Sequence, residues 1–573
     1  MQEQRLSASL GKYEQLVNTA IKEAEQADAL RRIWARDASL WKSEPEHQRI
    51  IENALGWLTV ADEMLETAGD LSAFADDVAG AMGFRQVMVC GMGGSSLCPE
   101  VLRQTFAHQS GHPELLVLDS TDPDVIVALG RYIEIDKCLF IIASKSGTTT
   151  EPLMFHKYWH DQVRRHKQNP GENFIAITDP GTALVKMAKD DGFRRVFSNQ
   201  PDIGGRYSAL SYFGMVPAAL MGIDIRRFLQ RASAAAQACG PEVPSAENQA
   251  VRLGAIMAEC AKHGRDKLTL VADQKLAALG LWIEQLVAES TGKEGKGIIP
   301  ISGEPLNRPS LYGDDRLFVS IALGNPEKQT AAALRDLEAA GHPVVYLTLA
   351  DLYDLGGHFF FWELATAFAG WRLGINPFDQ PNVQESKDAT KELLEGFKRE
   401  GKLREQTIVA QGDGLTIYAD ERTAISLPRT SVVAALRAHL LRARTGDYIA
   451  LLDYVEETPE IEASIQDIRL YLRAVTSCAT TTGYGPRFLH STGQLHKGGP
   501  NTGVFIQNTA NDATDLPIPG EPYSFSILKQ AQALGDFRSL AAHERRVIRV
   551  HLGSDVPAGL KRLREMIIEA MKE

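Results

Sequence analysis

Cysteine is scarce in this chain, and its spacing does not suggest a metal site. Six cysteines occur in 573 residues, at positions 90, 98, 138, 239, 260 and 478. No pair is spaced C-x2-C, and none lies beside a histidine at zinc-ligand spacing, so we expect neither a disulfide framework nor a structural zinc site. The composition fits a reducing compartment, and we expect a cytoplasmic location.

Long apolar runs and an excess of basic residues are also missing. No run of about 18 apolar residues occurs, so no segment is expected to span a membrane. The N-terminal residues show no apolar segment of the kind found in secretory signals. Lys plus Arg total 61 against 73 Asp plus Glu, a net charge of −12, which argues against nucleic-acid binding. A small anion can still be bound by local amides and hydroxyls.

What the chain does have is the pattern of an α/β protein. Short apolar runs, each ending in a turn, alternate with helical stretches, as in buried parallel sheets covered by helices. A first set of predicted strands covers residues 85–90, 114–118, 138–143 and 173–178, and a second covers 267–272, 317–323 and 344–349. The sequence therefore predicts two doubly wound αβα domains.

The predicted organisation has three parts. Residues 1–225 hold N-terminal helices and the first α/β domain, and residues 226–390 hold the second. Residues 391–573 are predicted as a helical insertion and a C-terminal segment that returns to the second domain and the active site. Within 388–480 the charged, Leu- and Ala-rich sequence favours helices, with one short strand predicted at 414–419.

Two loops after predicted strands have the residue types of an anion site. Gly91–Ser96 is rich in glycine, but it has neither the Walker nor the Rossmann spacing, and a tight strand-to-helix turn would explain it equally well. Ser144–Thr150 holds five hydroxyl side chains in seven residues at a predicted helix N-terminus. Capping a helix needs one or two hydroxyls, so this loop favours binding of a phosphate monoester over a capping role alone.

Six segments together carry a family resemblance. They are GMGGSS at 91–96, SKSGTTTE at 144–151, GGRYS at 204–208, QLVAESTGK at 285–293, NPFDQPNVQESK at 376–387 and LHSTGQ at 489–494. They resemble the sugar-isomerase (SIS) domains of the glucose-6-phosphate isomerase (phosphoglucose isomerase) family. The whole chain resembles the isomerase portion of bifunctional transaldolase/phosphoglucose isomerase proteins.

The resemblance implies a fold of two SIS-type domains, a homodimer and a cofactor-independent, metal-free activity. That activity is the reversible isomerisation of glucose 6-phosphate and fructose 6-phosphate through ring opening and a cis-enediol. By motif, Glu289 is the base that moves a proton between C2 and C1, and Arg206 stabilises the enediolate. His490, with Lys387, opens the sugar ring. The implied substrate-binding residues are Gly94, Ser95, Ser144, Lys145, Ser146, Thr149, Gly205, Gln285 and Gln380.

The order of the motifs departs from the family. In most members the His segment lies between the base and the Lys segment, whereas here the order is Glu289, Lys387, His490. In the family this His comes from the partner subunit, and the sequence does not say whether His490 acts in its own chain or across a dimer. His496 is a rival for the ring-opening role, and His358 and His342 are weaker rivals.

Three other functions compete with the isomerase. A non-catalytic SIS regulator would bind a phosphosugar but would not need Glu289 and Arg206. A transaldolase would need a Schiff-base lysine in an eightfold β/α barrel, which the strand pattern does not predict. A metal-dependent isomerase would need clustered His and Glu ligands, and the sequence shows no such cluster.

Overall fold

The structure is a computed structural model that describes residues 5–403 and 406–572. Within these ranges no helix combines the length and the apolar character needed to cross a membrane. The strands and helices form three α/β units along the chain, each built around one sheet.

The elements follow one another from β1 to β16 and from α1 to α21. The strands are β1 (Arg5–Ser9), β2 (Gln86–Cys90), β3 (Glu114–Leu118), β4 (Cys138–Ala143), β5 (Phe174–Thr178), β6 (Arg195–Ser198), β7 (Lys267–Ala272), β8 (Ile299–Ile301), β9 (Arg316–Leu323), β10 (Val344–Leu349), β11 (Thr407–Gly412), β12 (Leu415–Ala419), β13 (Tyr448–Tyr454), β14 (Ala479–Tyr484), β15 (Gly503–Thr509) and β16 (Arg546–His551). The helices are α1 (Glu14–Gln26), α2 (Ala29–Trp34), α3 (Pro45–Glu52), α4 (Val60–Ala79), α5 (Leu97–Phe106), α6 (Pro123–Tyr132), α7 (Thr150–Arg164), α8 (Ala183–Asp190), α9 (Tyr212–Leu220), α10 (Ile225–Ala238), α11 (Gln249–Lys262), α12 (Leu279–Thr291), α13 (Lys328–Ala339), α14 (Asp354–Leu373), α15 (Pro381–Glu400), α16 (Glu421–Ser426), α17 (Val432–Leu440), α18 (Pro459–Thr476), α19 (Gly493–Gly498), α20 (Phe525–Ala542) and α21 (Val556–Ala570).

The first sheet has the order β3-β2-β4-β5-β6 and is parallel throughout. Its central strand β4 has the sequence CLFIIA, and all six side chains are buried. A parallel strand covered by helices on both faces needs such a continuous apolar run. The chain reverses its direction of progress between β2 and β4, and the carboxyl ends of strands at such a switch point form a crevice where ligands bind.

The second sheet has the order β1-β10-β9-β7-β8. Strands β7 to β10 are parallel, as the sequence predicts, whereas β1 pairs antiparallel with β10. The N-terminal segment, predicted as helical, therefore also supplies an edge strand to the second domain. Helix α14 is buried around almost its whole circumference, which is typical of a helix in the core of a large protein.

The C-terminal part differs from the sequence expectation. Residues 391–573 were expected to be a helical insertion and a returning segment, but they contain a third sheet of six strands, with the order β11-β12-β16-β15-β13-β14. Strands β13 to β16 are parallel, and β12 and β11 continue the sheet antiparallel. The strand predicted at 414–419 corresponds to β12. The 485–498 segment packs against α12 of the second unit.

A buried ion cluster joins the second and third units. Glu304 follows β8, and its carboxylate lies 3.1 Å from Arg316 of β9 and 3.3 Å from Arg473 of α18. Thr480 of β14 donates a hydrogen bond of 3.0 Å to the same carboxylate. Burial raises the pKa of Glu304, but Arg316, Arg469 and Arg473 outweigh burial and hold the pKa below its ordinary value.

We expect Glu304→Gln to destabilise the protein, because it leaves buried guanidinium groups without their carboxylate. Removing one partner of a buried ion pair costs about 3–5 kcal/mol, which urea unfolding can measure. Because the folded-state pKa of Glu304 is depressed, its stabilisation is present above the ordinary value of 4.5 and is lost as the pH falls below it. The variant and the wild type should therefore converge in acid.

The matched control is Glu460→Gln, at an exposed position in the first turn of α18. It should change the free energy of unfolding by no more than about 0.5 kcal/mol. Equal stabilities for Glu304→Gln and Glu460→Gln at neutral pH would contradict the role given to the cluster.

Candidate active site

The two predicted anion loops follow β2 and β4, at the switch point of the first sheet. Ser144 donates a hydrogen bond of 2.9 Å to Thr149, and the amide of Thr148 donates to Ser146 at 3.3 Å. Thr149 occupies the N-cap position of α7 but makes no capping hydrogen bond with its side chain. The hydroxyls of this loop are therefore not used to cap the helix, which keeps its N-terminal amides available to an anion.

The glycine-rich loop after β2 brings three chain segments together. A Cβ atom added to Gly94 would lie 1.9 Å from the carbonyl oxygen of Gly205. Gly93 has a φ of +55°, and a Cβ there would lie 2.7 Å from both Gln285 Nε2 and the carbonyl oxygen of His490. A side chain at either position would collide with these protein atoms, so the close packing requires glycine. Ser95 is half-buried at the end of the same turn.

Arg206 and Glu289 form a buried pair beside these loops. Arg206 Nη1 lies 3.2 Å from Glu289 Oε1, and the two side chains are 2% and 10% exposed. The guanidinium of Arg206 also donates to Ser290 Oγ at 2.8 Å and to Gln380 Oε1 at 2.8 Å. Its remaining bonds go to the carbonyl oxygens of Pro377 and Asp379, at 2.7 and 3.0 Å. This arrangement gives one fixed carboxylate next to one fixed positive charge.

Gln285 links the Glu289 carboxylate to the C-terminal segment. Its Nε2 group donates to Glu289 Oε2 at 3.2 Å and to the carbonyl oxygen of His490 at 2.7 Å. Gln285 and Glu289 share a face of α12 because they are four residues apart. The predicted base and the predicted ring-opening histidine therefore meet in one site.

His490 belongs to the same chain as the rest of this site. Its Nε2 atom lies 3.1 Å from Glu151 Oε1, and Gln532 Nε2 donates to that same oxygen at 2.7 Å. Within this chain, His490, Glu151 and Gln532 therefore form one hydrogen-bonded group. Burial raises the pKa of Glu151, but His490 and, more weakly, Lys387 reverse this effect and leave the pKa below its ordinary value.

A cavity of about 590 Å³ opens between α7, α15 and the His490 segment. Its lining includes Ser146, Thr149, Glu151, Lys387 and His490. Arg206 and Glu289 lie outside this lining and connect to it through Gln285. The cavity thus gathers the loop hydroxyls, Lys387 and His490 around one space.

Two predicted substrate-binding residues already have protein partners. Lys145 makes an ion pair with Asp179 and donates to the carbonyl oxygen of Pro201 at 2.8 Å. Gln380 is exposed, and its side-chain oxygen accepts the hydrogen bond from Arg206 within the site.

Three residues that support the site were not singled out from the sequence. Glu151 and Lys293 lie inside recognised motifs, which is the signal that could have found them. Lys293 donates to Asp379 Oδ1 at 2.7 Å, and burial, followed by Arg206, lowers its pKa to about 8. It fixes the segment that carries the carbonyl acceptors of Arg206. Gln532 lies 381 residues from Glu151 in sequence, and no local pattern marks it.

The rival histidines are core residues. His496 is buried among the rings of Tyr448, Phe488 and Phe505, and burial holds its pKa well below the ordinary value. Burial lowers the pKa of His358 to about 4. His342 contacts Arg265 at 3.1 Å. None of the three lines the 590 Å³ cavity.

The fold is an α/β architecture whose candidate cleft lies at the switch point of the first sheet. Residues 60–301 match the family model of phosphoglucose isomerase. Over this stretch, which is less than half of the 573 residues, the chain is similar to that family. The matched stretch contains Arg206, Gln285 and Glu289, and it ends before Lys387 and His490.

Glucose-6-phosphate isomerases are among the curated relatives to which this chain is similar. A probable glucose-6-phosphate isomerase of Methanococcus maripaludis is 24% identical over 61% of this chain and 86% of its own length. A glucose-6-phosphate isomerase of Symbiobacterium thermophilum is 29% identical over 54% of this chain and 80% of its own.

Among solved structures, a hypothetical protein of Thermus thermophilus superimposes with a TM-score of 0.57 at 24% identity, covering 68% of this chain and 99% of its own. A glucose-6-phosphate isomerase of Chlamydia trachomatis gives a TM-score of 0.51 at 20% identity, covering 68% of this chain and 86% of its own. These two likenesses concern the fold.

Proposed function

We propose that this chain catalyses the reversible isomerisation of glucose 6-phosphate and fructose 6-phosphate. The observation that carries the proposal is the buried Glu289–Arg206 pair, which Gln285 joins to the His490 segment. An aldose–ketose isomerase needs one carboxylate that reaches both C1 and C2, and a positive charge beside the enediolate oxygens. A module that merely binds a phosphosugar needs neither group.

The proposed mechanism uses the side chains in sequence. His490, held by Glu151, and Lys387 transfer the protons that open the sugar ring. Glu289 then takes the C2 proton, the C2–H electrons form the C1–C2 double bond, and the electron pair of the C1 carbonyl moves to O1. The proton of the C2 hydroxyl passes to O1, and Glu289 returns its proton to C1 as the double-bond electrons shift and the C2 carbonyl forms. Arg206 balances the negative charge that develops on the oxygen. These steps are proton transfers, and the proposal includes no cofactor.

The phosphate group of the substrate is proposed to bind at the hydroxyl loop. Ser146 and Thr149 line the cavity, and the amides of the first turn of α7 carry the partial positive charge of a helix N-terminus. A phosphate there would leave the sugar carbons to extend toward His490.

Glu289→Gln should abolish most turnover and retain phosphosugar binding, because glutamine keeps the shape of the side chain but not its basicity. General-base catalysis contributes about 10²–10⁴-fold to the rate, so kcat should fall by about the same factor. A coupled assay that follows glucose 6-phosphate formed from fructose 6-phosphate measures kcat, and calorimetry measures binding.

Glu284→Gln is the matched control on the same helix. The Glu284 carboxylate accepts a hydrogen bond from the amide of Ser302 at 3.2 Å and takes no part in the contacts described around Glu289, so activity should stay near that of the wild type. If Glu289→Gln kept more than about a tenth of wild-type kcat, another residue would have to be the base.

Replacing Ser146 and Thr149 together by alanine should raise KM for fructose 6-phosphate while the thermal midpoint stays nearly constant. Each hydrogen bond to a charged group is worth about 1.5–3 kcal/mol, so KM should rise by roughly tenfold or more. Thr19→Ala, at an exposed threonine on α1, is the control. An unchanged KM in the double variant would place the phosphate elsewhere.

A homodimer and a cytoplasmic location complete the proposal. The family resemblance supports the first, and the sparse, unpaired cysteines support the second. Light scattering coupled to size exclusion would measure the oligomeric state.

Within a dimer we propose that His490 acts in the site of its own chain, as the Glu151 contact supports. Co-refolding His490→Ala with Glu289→Gln protomers should then restore no activity, because every site keeps one lesion. The assay compares the mixture with each parent alone. Recovery toward about a quarter of wild-type activity, the value expected for random mixing of shared sites in a two-fold dimer, would show that His490 crosses the interface.

A further inference from the structure

A cluster of potential metal ligands lies on α7, beyond the hydroxyl loop. His156 and His160 are one turn apart on this helix, and Asp191 immediately follows α8. One ligand atom from each residue lies within 4.8 Å of the other two. Because residues i and i+4 share a helix face, both imidazoles point toward the same side, where Asp191 is found.

His156 is the member that ordinary packing does not explain. It is 4% exposed, and neither ring nitrogen has a hydrogen-bond partner among residues 5–403 and 406–572. Its Nε2 atom lies 3.5 Å from Asp191 Oδ2. Zinc bound to nitrogen and oxygen at about 2.0–2.2 Å in a tetrahedron separates neighbouring ligand atoms by roughly 3.3–3.5 Å. This spacing matches two ligands of one ion better than a hydrogen bond.

The nearby cations Lys157 and Arg164 are paired with Glu521 and Asp161.

The surroundings hold the ligands in place. The rings of Phe174 and Phe193 pack against His156 at centroid distances of 5.4 and 5.1 Å and form an apolar wall. The backbone of Asp191 is fixed by its N–H bond to Met187 and by contact with Gly171, where a Cβ would lie 2.0 Å from the Asp191 carbonyl oxygen. The Asp191 side chain is 34% exposed, which leaves a path from solvent.

We propose that His156, His160 and Asp191 bind one divalent transition-metal ion, for which Zn²⁺ has the matching ligand preference. Two imidazoles and one carboxylate are ligands that Zn²⁺ favours, and water from the open side supplies the fourth position. The ion joins α7 to the turn between α8 and β6. It takes no part in the proton transfers proposed above, so the two proposals stand or fall separately.

A second carboxylate cluster lacks these features. Asp122, Asp124 and Asp512 also approach one another. The Lys529 ammonium group donates to Asp122 at 2.6 Å and also to Asp512, so a positive charge already occupies that position. The first cluster has no local sequence signature, because Asp191 lies about 30 residues beyond His160.

The test uses the full-length protein, stripped with a chelator and dialysed, then titrated with ZnCl2 by calorimetry. We expect one Zn²⁺ per chain and a rise in the thermal midpoint on binding. Titration with Co²⁺ should give the visible absorption of a tetrahedral site with nitrogen and oxygen ligands. His156→Ala, His160→Ala and Asp191→Asn should each weaken Zn²⁺ binding by at least roughly 10–100-fold, since even outer partners of metal ligands contribute that much.

His166→Ala is the matched control, because this exposed histidine follows the same helix. It should keep the wild-type affinity. His160 and Asp191 are only partly buried, so their variants test the site even if His156→Ala disturbs folding. Absence of stoichiometric Zn²⁺ binding by the wild type, or equal affinity in the wild type, His160→Ala and Asp191→Asn, would overturn the proposal.

Discussion

The site depends on one buried guanidinium. Arg206 is 2% exposed, and a charge so far from water is tolerated only when its donors are paired. Its partners come from α12 and from the segment before α15, namely Glu289, Ser290, Pro377, Asp379 and Gln380. Satisfying this one group fixes the first domain against the second. The same contacts place a carboxylate beside a positive charge, so folding and the proposed chemistry share one requirement.

The C-terminal segment satisfies a second requirement, that of completing the cleft. Gln285 donates to the backbone of His490 as well as to Glu289, so the segment is held by its main chain. Gln494 adds further bonds, to Gly292 at 2.9 Å and to Asn382 at 2.8 Å. His490, whose motif is the last of the six along the chain, can therefore share a cleft with Glu289, which lies about two hundred residues earlier. The altered order of the motifs changes how the chain connects them, but the Glu289 and His490 segments still meet at the cleft.

The first two sheets could be predicted from sequence because their strands are continuous apolar runs, such as CLFIIA in β4. The third sheet was predicted only at β12. Strand β14 has the sequence ATTTGY, without a continuous apolar run, and β16 carries two arginines in RVIRVH. Their apolar partners are supplied by neighbouring strands far away in sequence. The site followed the same rule: motif residues such as Glu289 were identified, while Gln532 gains its meaning from a contact with Glu151 across 381 residues.

Helix α7 shows how one element serves both positioning and support. Its N-terminus presents the hydroxyl loop, and its first turn carries Glu151, which holds His490. Because Thr149 does not cap α7, the helix depends on side-chain packing along the rest of its length. Phe155 stacks on Phe525 and Trp159 stacks on Phe140, which anchors two faces. On the third face Phe174 and Phe193 pack against the His156 ring but leave its two nitrogens without hydrogen bonds, and an ion shared with Asp191 would bind one of them.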